Sequence, residues 1–86
     1  MNKQIHKFPL RFQTEPQSIL MPKNAKIVKV AIQGTTICLW ASVRPDVEKE
    51  TRTFNIVPTG VWYDSDEQYL DSVLDGQFVW HIFEVI

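Results

Sequence analysis

One cysteine and two histidines are the side chains of this chain that could support nucleophilic chemistry. Cys38 could pair with His6 or His81, since a nucleophilic thiol needs an adjacent base. Cys38 lies in an apolar stretch, however, where a free cysteine usually serves as a small buried hydrophobic residue. No Gly-x-Ser-x-Gly sequence, which would indicate a serine nucleophile, is present. The sequence therefore predicts that the protein is not an enzyme.

The spacing of the remaining polar residues does not indicate a metal or phosphate site. His6, Cys38 and His81 lack the short spacings of zinc ligands. The run at residues 64–67 resembles part of a calcium loop but lacks the central glycine and the distal glutamate. The three glycines are isolated at predicted turns and are not clustered as in a phosphate-binding loop. We therefore expect neither a metal nor a cofactor.

An aromatic pair beside a group of acids is the first candidate binding site. Trp62 and Tyr63 follow a predicted turn, and three acids come directly after them: Asp64, Asp66 and Glu67. Exposed Trp and Tyr side chains often dominate the affinity of protein interfaces. We therefore expect these five residues to contact a partner protein. The alternative is that the tryptophan fills core volume and that the acids form an ordinary solvated loop.

Two arginines and a tryptophan form an alternative candidate site. Arg52 has the same strand parity as Phe54 and Ile56, so we expect it to be partly buried. A buried guanidinium must find a hydrogen-bond acceptor. Arg52 could also join Trp40 and Arg44 around a small anionic ligand such as a nucleotide. The simpler alternative for Arg52 is a surface salt network that contributes little to stability.

Charge is divided between the two halves of the chain. All nine Lys and Arg residues lie in residues 1–52, whereas residues 53–86 hold six acids and no Lys or Arg. Strands of the two halves could pair and neutralise each other, or one acidic face could meet a basic partner or mimic a nucleic acid. The net charge of −1 argues against direct nucleic-acid binding by this protein.

Short stretches of alternating apolar residues between turn residues predict an all-β fold. Residues 26–33 and 37–44 are expected to form a hairpin around Gly34 and Thr35. Further strands are expected at residues 3–12, 18–21, 51–57 and 77–86, with a brief resumption at residues 61–63. Residues 69–74 fit either a short strand or a helical turn. Asp75 and Gly76 predict a tight turn before the last strand.

The length of 86 residues predicts one domain, spanning residues 1–86. We expect a small antiparallel barrel or sandwich of five to seven short strands. Apolar residues on both faces of residues 77–86 indicate a central strand or one covered by a partner chain, and a homodimer is one expected assembly. No signal peptide and no membrane-spanning run is evident, so we expect a cytoplasmic protein without membrane contact.

Several stretches together resemble a family of small uncharacterised proteins encoded by bacteriophages and prophages. The stretches that carry the resemblance are Lys7–Leu10, Met21–Ile27, Cys38–Ala41, Glu50–Ile56, Thr59-Gly60 and Phe78–Glu84. Members of that family often carry a Gly-Thr-Gly-His run after the Arg-x-Phe strand. This chain has Pro58-Thr59-Gly60-Val61 there, so a role for that histidine does not carry over.

The resemblance implies a phage-encoded accessory protein that acts in the cytoplasm of the bacterial host. Small phage proteins often bind and inhibit host factors, including proteins of anti-phage defence. We therefore expect a binding protein that inhibits a host protein by direct contact. Sequestration of a small ligand or nucleotide is one alternative, and a structural or assembly role in the phage particle is another.

Overall fold

The computed structural model describes residues 2–86, and this part of the chain is built from β-strands without a helix. The seven strands are β1 Gln4–Pro9, β2 Gln17–Pro22, β3 Lys26–Gln33, β4 Thr36–Val43, β5 Lys49–Pro58, β6 Gln68–Asp75 and β7 Phe78–Val85. The predicted all-β fold is confirmed. Among residues 2–86 there is accordingly no helix that could span a membrane.

The strands form two antiparallel sheets packed as a sandwich, so the barrel alternative is wrong. One sheet has the order β1-β4-β3 and the other has the order β2-β5-β7-β6. The sheets stay separate because no ladder joins the edge strands β3 and β6, although these two strands lie next to each other. The expectation that the last strand is central is confirmed, since β7 lies between β5 and β6.

Apolar and polar residues alternate along the strands, so each sheet has one apolar face, and the two apolar faces meet in the core. On β4 the inward positions Ile37, Leu39, Ala41 and Val43 are at most 1% exposed. The four-stranded sheet contributes five well-buried side chains, which are Met21, Phe54, Ile56, Val73 and Ile82. Such branched and aromatic residues suit a pleated surface that is buried on one side.

The predicted β3–β4 hairpin is confirmed with β4 one residue earlier than expected, at Thr36–Val43, but the predicted inward position of Val28 on β3 is wrong. The alternation at residues 26–33 predicts Val28 on the same face as Val30 and Ile32. A β-bulge between Ile27 and Lys29 shifts the register, so Ile27 packs against the core and Val28 is exposed. A bulge adds one residue to one strand of a pair, which exchanges the two faces at that point.

The remaining differences from the predicted elements lie at strand ends. Strand β1 ends at Pro9, and residues 69–74 belong to strand β6, which also contains a bulge. Residues 61–63 do not resume a strand. The last tight turn is formed by Gly76-Gln77, one residue later than predicted, with Gly76 at a φ of 60°. Glycine adopts this left-handed conformation without steric cost.

Candidate functional site

The order of the strands determines where residues 59–67, the β5–β6 loop, lie. Strands β5 and β6 are both antiparallel to β7, which separates them, so they run in the same direction. Strand β5 ends at Pro58 opposite Trp80, and β6 begins at Gln68 opposite Glu84. The loop must therefore return along the length of β7, and it does so across the outer face of the four-stranded sheet.

Trp62 occupies the middle of this loop and is 94% exposed to solvent. Before it, the amide of Val61 donates to the carbonyl of Pro58 at 3.2 Å, and Gly60 has a φ of 87°. A positive φ at the third residue is the mark of a type II turn. After it, the amide of Glu67 donates to the carbonyl of Asp64 at 3.0 Å. Trp62 thus stands between two hydrogen-bonded turns.

Tyr63 fixes the loop to the sheet at the residue next to Trp62. Its ring packs on the ring of Phe83 with centroids 4.3 Å apart, and Tyr69 meets the same ring edge-on at 5.6 Å. Phe83 is buried although its side chain points outward from the sheet. Aromatic pairs in these arrangements contribute roughly 0.5–1.5 kcal/mol beyond the area they bury. The neighbour of Trp62 therefore packs on the outer face of the sheet.

A chain of side-chain hydrogen bonds anchors the start of the loop to β6 and β7. Thr59 Oγ1 lies 3.3 Å from the carbonyl of Val79, which can only accept, so Thr59 donates to it. With Thr59 as the donor to Val79, we assign His81 Nε2, 2.8 Å away, as the donor to Thr59 Oγ1, which leaves His81 Nδ1 as an acceptor in the neutral ring. Ser72 donates to Nδ1 at 2.7 Å, and Tyr69 donates to Ser72 at 2.8 Å.

This hydrogen-bond chain joins the loop to the sheet. Ser72 and His81 resemble half of a catalytic triad, but both imidazole nitrogens are engaged by hydroxyl groups. Among the described residues no carboxylate contacts His81 to orient it, as the base of a catalytic triad requires. The arrangement instead connects Thr59, at the start of the loop, to two strands of the sheet.

Glu67 closes the loop at its other end. One carboxylate oxygen accepts from Asn55 Nδ2 on β5, and the other accepts from the amide of Asp64, both at 3.0 Å. Asp64 Oδ1 in turn accepts from the amide of Asp66 at 3.0 Å. The predicted acidic site is therefore divided, since Glu67 is turned inward as a clamp whereas Asp64 and Asp66 are exposed beside Trp62.

Of the alternative ligand-binding residues, Arg52 lies apart from the other two. Trp40 lies on β4, at a position that points outward from the three-stranded sheet, and Arg44 follows the end of that strand. Arg52 lies on β5 in the other sheet, where its guanidinium contacts Glu84 and the carbonyl of Ala25. Arg52 is therefore engaged inside the fold and does not join Trp40 and Arg44.

The predicted partial burial and pairing of Arg52 are confirmed. Arg52 Nε and Nη2 donate to the two oxygens of Glu84 at 2.7 and 2.8 Å, and the side chains are 18% and 12% exposed. The hydrogen bonds to Glu84 raise the pKa of Arg52 above its ordinary value, against the opposing effect of burial. This forked pair links β5 to β7 beneath the face that carries the loop.

Sequence reasoning missed the residues that support the loop. Asn55 lies opposite Phe83 and Ser72 lies opposite His81 in the two ladders of β7, and the loop that crosses β7 adds Thr59 to them. One signal was present in the sequence. His81 and Phe83 share the outward parity of a strand that is apolar on both faces, which indicates that something covers that face.

Comparison with known proteins gives a family over the whole chain. A family model described as a domain of unknown function (DUF7352) matches residues 1–86. No curated protein and no solved structure gives a significant match.

Proposed function

The chain belongs to the family of domains of unknown function DUF7352, and we propose that it is a binding protein whose β5–β6 loop contacts a partner protein through Trp62. The single observation that carries the proposal is the 94% exposure of Trp62 on a loop that is hydrogen bonded on both sides. A large apolar side chain displayed in this way is stabilised by contact with another molecule.

The anchoring of the loop supports high affinity at small entropic cost. Immobilising a flexible side chain or loop on binding costs roughly 0.5–1.5 kcal/mol per ordered side chain. Here the two turns and the Tyr63–Phe83 contact order the backbone on either side of Trp62 before any partner arrives. The loop therefore has the preorganisation expected of a protein-binding segment.

The charges beside Trp62 specify the chemistry of the partner. Asp64 and Asp66 are exposed within four residues of Trp62, and residues 53–86 contain no Lys or Arg. The matching surface is an apolar pocket for an indole ring with Lys or Arg residues at its rim. Complementary charge of this kind raises the association rate and excludes partners with an acidic surface.

We further propose that the partner is a bacterial host protein. The support for this step is the resemblance of residues 7–10, 21–27, 38–41, 50–56 and 78–84 to small phage and prophage proteins. Such a protein would act in the host cytoplasm and block its target by occupying a functional surface. A component of anti-phage defence is the target class that we propose.

The experiment is affinity capture from bacterial lysate with matched variants, followed by binding measurements with the purified captured protein. Trp62→Ala should lose the partner, and Asp64→Asn with Asp66→Asn should weaken it. Leu20→Ala is the control, since Leu20 is an exposed apolar residue on β2, 59% accessible, outside the loop. If the captured protein binds the Trp62 variant and the wild type equally, the proposal is wrong.

A further inference from the structure

The second outer face of the sandwich carries the opposite charge from the loop. Outward positions of the three-stranded sheet include three exposed lysines, which are Lys7 on β1 and Lys26 and Lys29 on β3. We call this surface the basic face. Its other outward positions are neutral, and no carboxylate occupies one. Asp71 approaches only from the adjacent edge strand, where it lines a furrow beside Lys29.

Trp40 lies at the centre of the basic face. Lys7 pairs with Trp40 across one ladder and Lys29 pairs with it across the other, so the indole has a lysine on each side. Neighbouring strands lie about 4.8 Å apart, so the backbones of Lys7 and Lys29 are about 10 Å apart. Lys7 Nζ donates to Gln33 Oε1 at 2.8 Å. The half-buried Trp40 is thus an aromatic surface between two cations.

A cleft extends the positive charge beyond the end of β4. It has a volume of about 480 Å³ and includes Lys3, Lys23 and Arg44, with Ser42 connecting it to the basic face. Glu48, the acid in its lining, is already paired with Lys23 at 3.3 Å. Arg44 in turn lies 3.8 Å from Asp46, so Lys3 is the cleft cation outside the ion pairs among residues 2–86, and the excess of positive charge is largest on the basic face.

We propose that the basic face and this cleft bind single-stranded nucleic acid. The cations follow a strip across the sheet and do not converge on one point, which suits a chain of phosphates better than a single nucleotide. An aromatic side chain on an open sheet surface can stack on an unpaired base, which a duplex does not offer. Lysines on both sides of that aromatic residue can contact the flanking phosphates.

The net charge does not oppose this proposal, because opposite charges lie on different surfaces. Asp64 and Asp66 lie on the loop across the four-stranded sheet, whereas Lys7 and Lys29 lie on the outer face of the three-stranded sheet. Of the three ion pairs among residues 2–86, only Arg52–Glu84 joins the basic and acidic parts of the sequence. Lys7, Lys26 and Lys29 of the basic face take part in none of these pairs and are open to a ligand, whereas Lys23 and Arg44 of the cleft are each paired with a carboxylate.

The test measures fluorescence anisotropy of a labelled 15-nucleotide oligo-dT with the full chain at several salt concentrations. Lys7→Gln with Lys29→Gln should weaken binding about tenfold at low salt. The slope of log K against log salt should fall by about 1.4, because each phosphate contact on a single strand contributes about 0.7. Trp40→Leu, which keeps apolar cover over the sheet, should weaken binding at least about fivefold through loss of stacking.

Lys49→Gln is the matched control, because Lys49 is an exposed lysine on β5 of the other sheet. It should leave oligo-dT binding unchanged. The proposal is overturned if oligo-dT does not bind at low salt, or if the Lys49 variant loses as much affinity as the Lys7–Lys29 variant. It is also overturned if duplex DNA or polyglutamate of equal charge binds more tightly than oligo-dT.

Discussion

At the scale of single residues, exposure separates side chains of the same type. Trp62 is almost fully exposed on the loop, whereas Trp80 packs edge-on against Phe12 with centroids 5.0 Å apart and donates to Asp75. Trp40 is half-buried between lysines. Only Trp62 therefore has its whole apolar surface open to a partner. Inside the fold, the Arg52–Glu84 pair and His81 each make contacts whose effects can be measured.

The Arg52–Glu84 pair should contribute measurably to stability. We expect Arg52→Met to lower the free energy of unfolding by about 2 kcal/mol, because Glu84 and the carbonyl of Ala25 lose their donors. Remaining solvent contact keeps the value below that of a fully buried pair. Denaturant titration gives the measurement. Arg44→Met is the control and should cost less than about 0.5 kcal/mol, because the Arg44–Asp46 pair is exposed and 3.8 Å apart.

The contribution of Arg52 to the stability of the fold depends on pH. Since the pKa of Arg52 is raised in the folded state, its contribution to stability is fully present at neutral and mildly alkaline pH and is lost only in strong alkali.

The double variant Arg52→Met with Glu84→Met should recover most of the stability lost in Arg52→Met, because no unpaired charge remains. Equal destabilisation by the single and double variants would contradict this account.

His81 should exist as a single tautomer in the neutral state. We assign the direction of these hydrogen bonds from the Thr59–Val79 contact, which places the proton on Nε2 to donate to Thr59 and leaves Nδ1 to accept from Ser72. Nitrogen-15 NMR of the imidazole distinguishes the two tautomers directly. Ser72→Ala should leave Nδ1 without its donor while Nε2 stays protonated. A dominant Nδ1-protonated form in the wild type would contradict the assigned direction of these hydrogen bonds.

At the scale of elements, the route of the β5–β6 loop is the main consequence of the fold. The loop crosses β7 because the strands it connects run in the same direction on either side of that strand. Its two turns, the Tyr63–Phe83 contact and the Glu67 clamp all follow from this route. The loop is therefore ordered by the sheet beneath it, and loss of one clamp should loosen it without unfolding the sandwich.

Glu67→Ala tests this ordering. We expect faster amide hydrogen exchange in residues 61–66 and little change in the strands, because Asn55 and the amide of Asp64 lose their acceptor. Hydrogen exchange read by mass spectrometry is the measurement. Glu15→Ala, at an exposed acid outside the loop, should leave exchange in residues 61–66 unchanged. Exchange that stays slow in the Glu67 variant would show that the clamp does not hold the loop.

The elements also show what the sequence could predict and why the rest was out of reach. The β3–β4 hairpin follows from the alternation of apolar residues on both sides of Gly34, whose φ of 65° suits a two-residue turn, but that alternation does not reveal the bulge that exposes Val28. Residues 69–74 were ambiguous because the bulge in β6 interrupts their alternation. Trp62 and Tyr63 stood out through their types alone. Their supports, His81 and Ser72, depend on strand order, and local patterns carry no information on strand order.

At the scale of the whole molecule, the sandwich presents two different outer surfaces. The four-stranded sheet carries the loop with Trp62 and exposed acids, and the three-stranded sheet carries Trp40 among lysines. The two proposed sites therefore lie on opposite sides of one thin core. A protein partner and a nucleic acid strand could occupy them together, and substitutions on one face should leave binding at the other unchanged.

The measurement that tests the central proposal most directly compares the dissociation constants of the captured host protein for the wild type and for Trp62→Ala. We predict that the variant binds at least about 30-fold more weakly, since an interface hot spot contributes about 2 kcal/mol or more. Its thermal stability should be unchanged, because the side chain is 94% exposed. Equal affinity for both proteins would contradict the account and would exclude the β5–β6 loop as the binding surface.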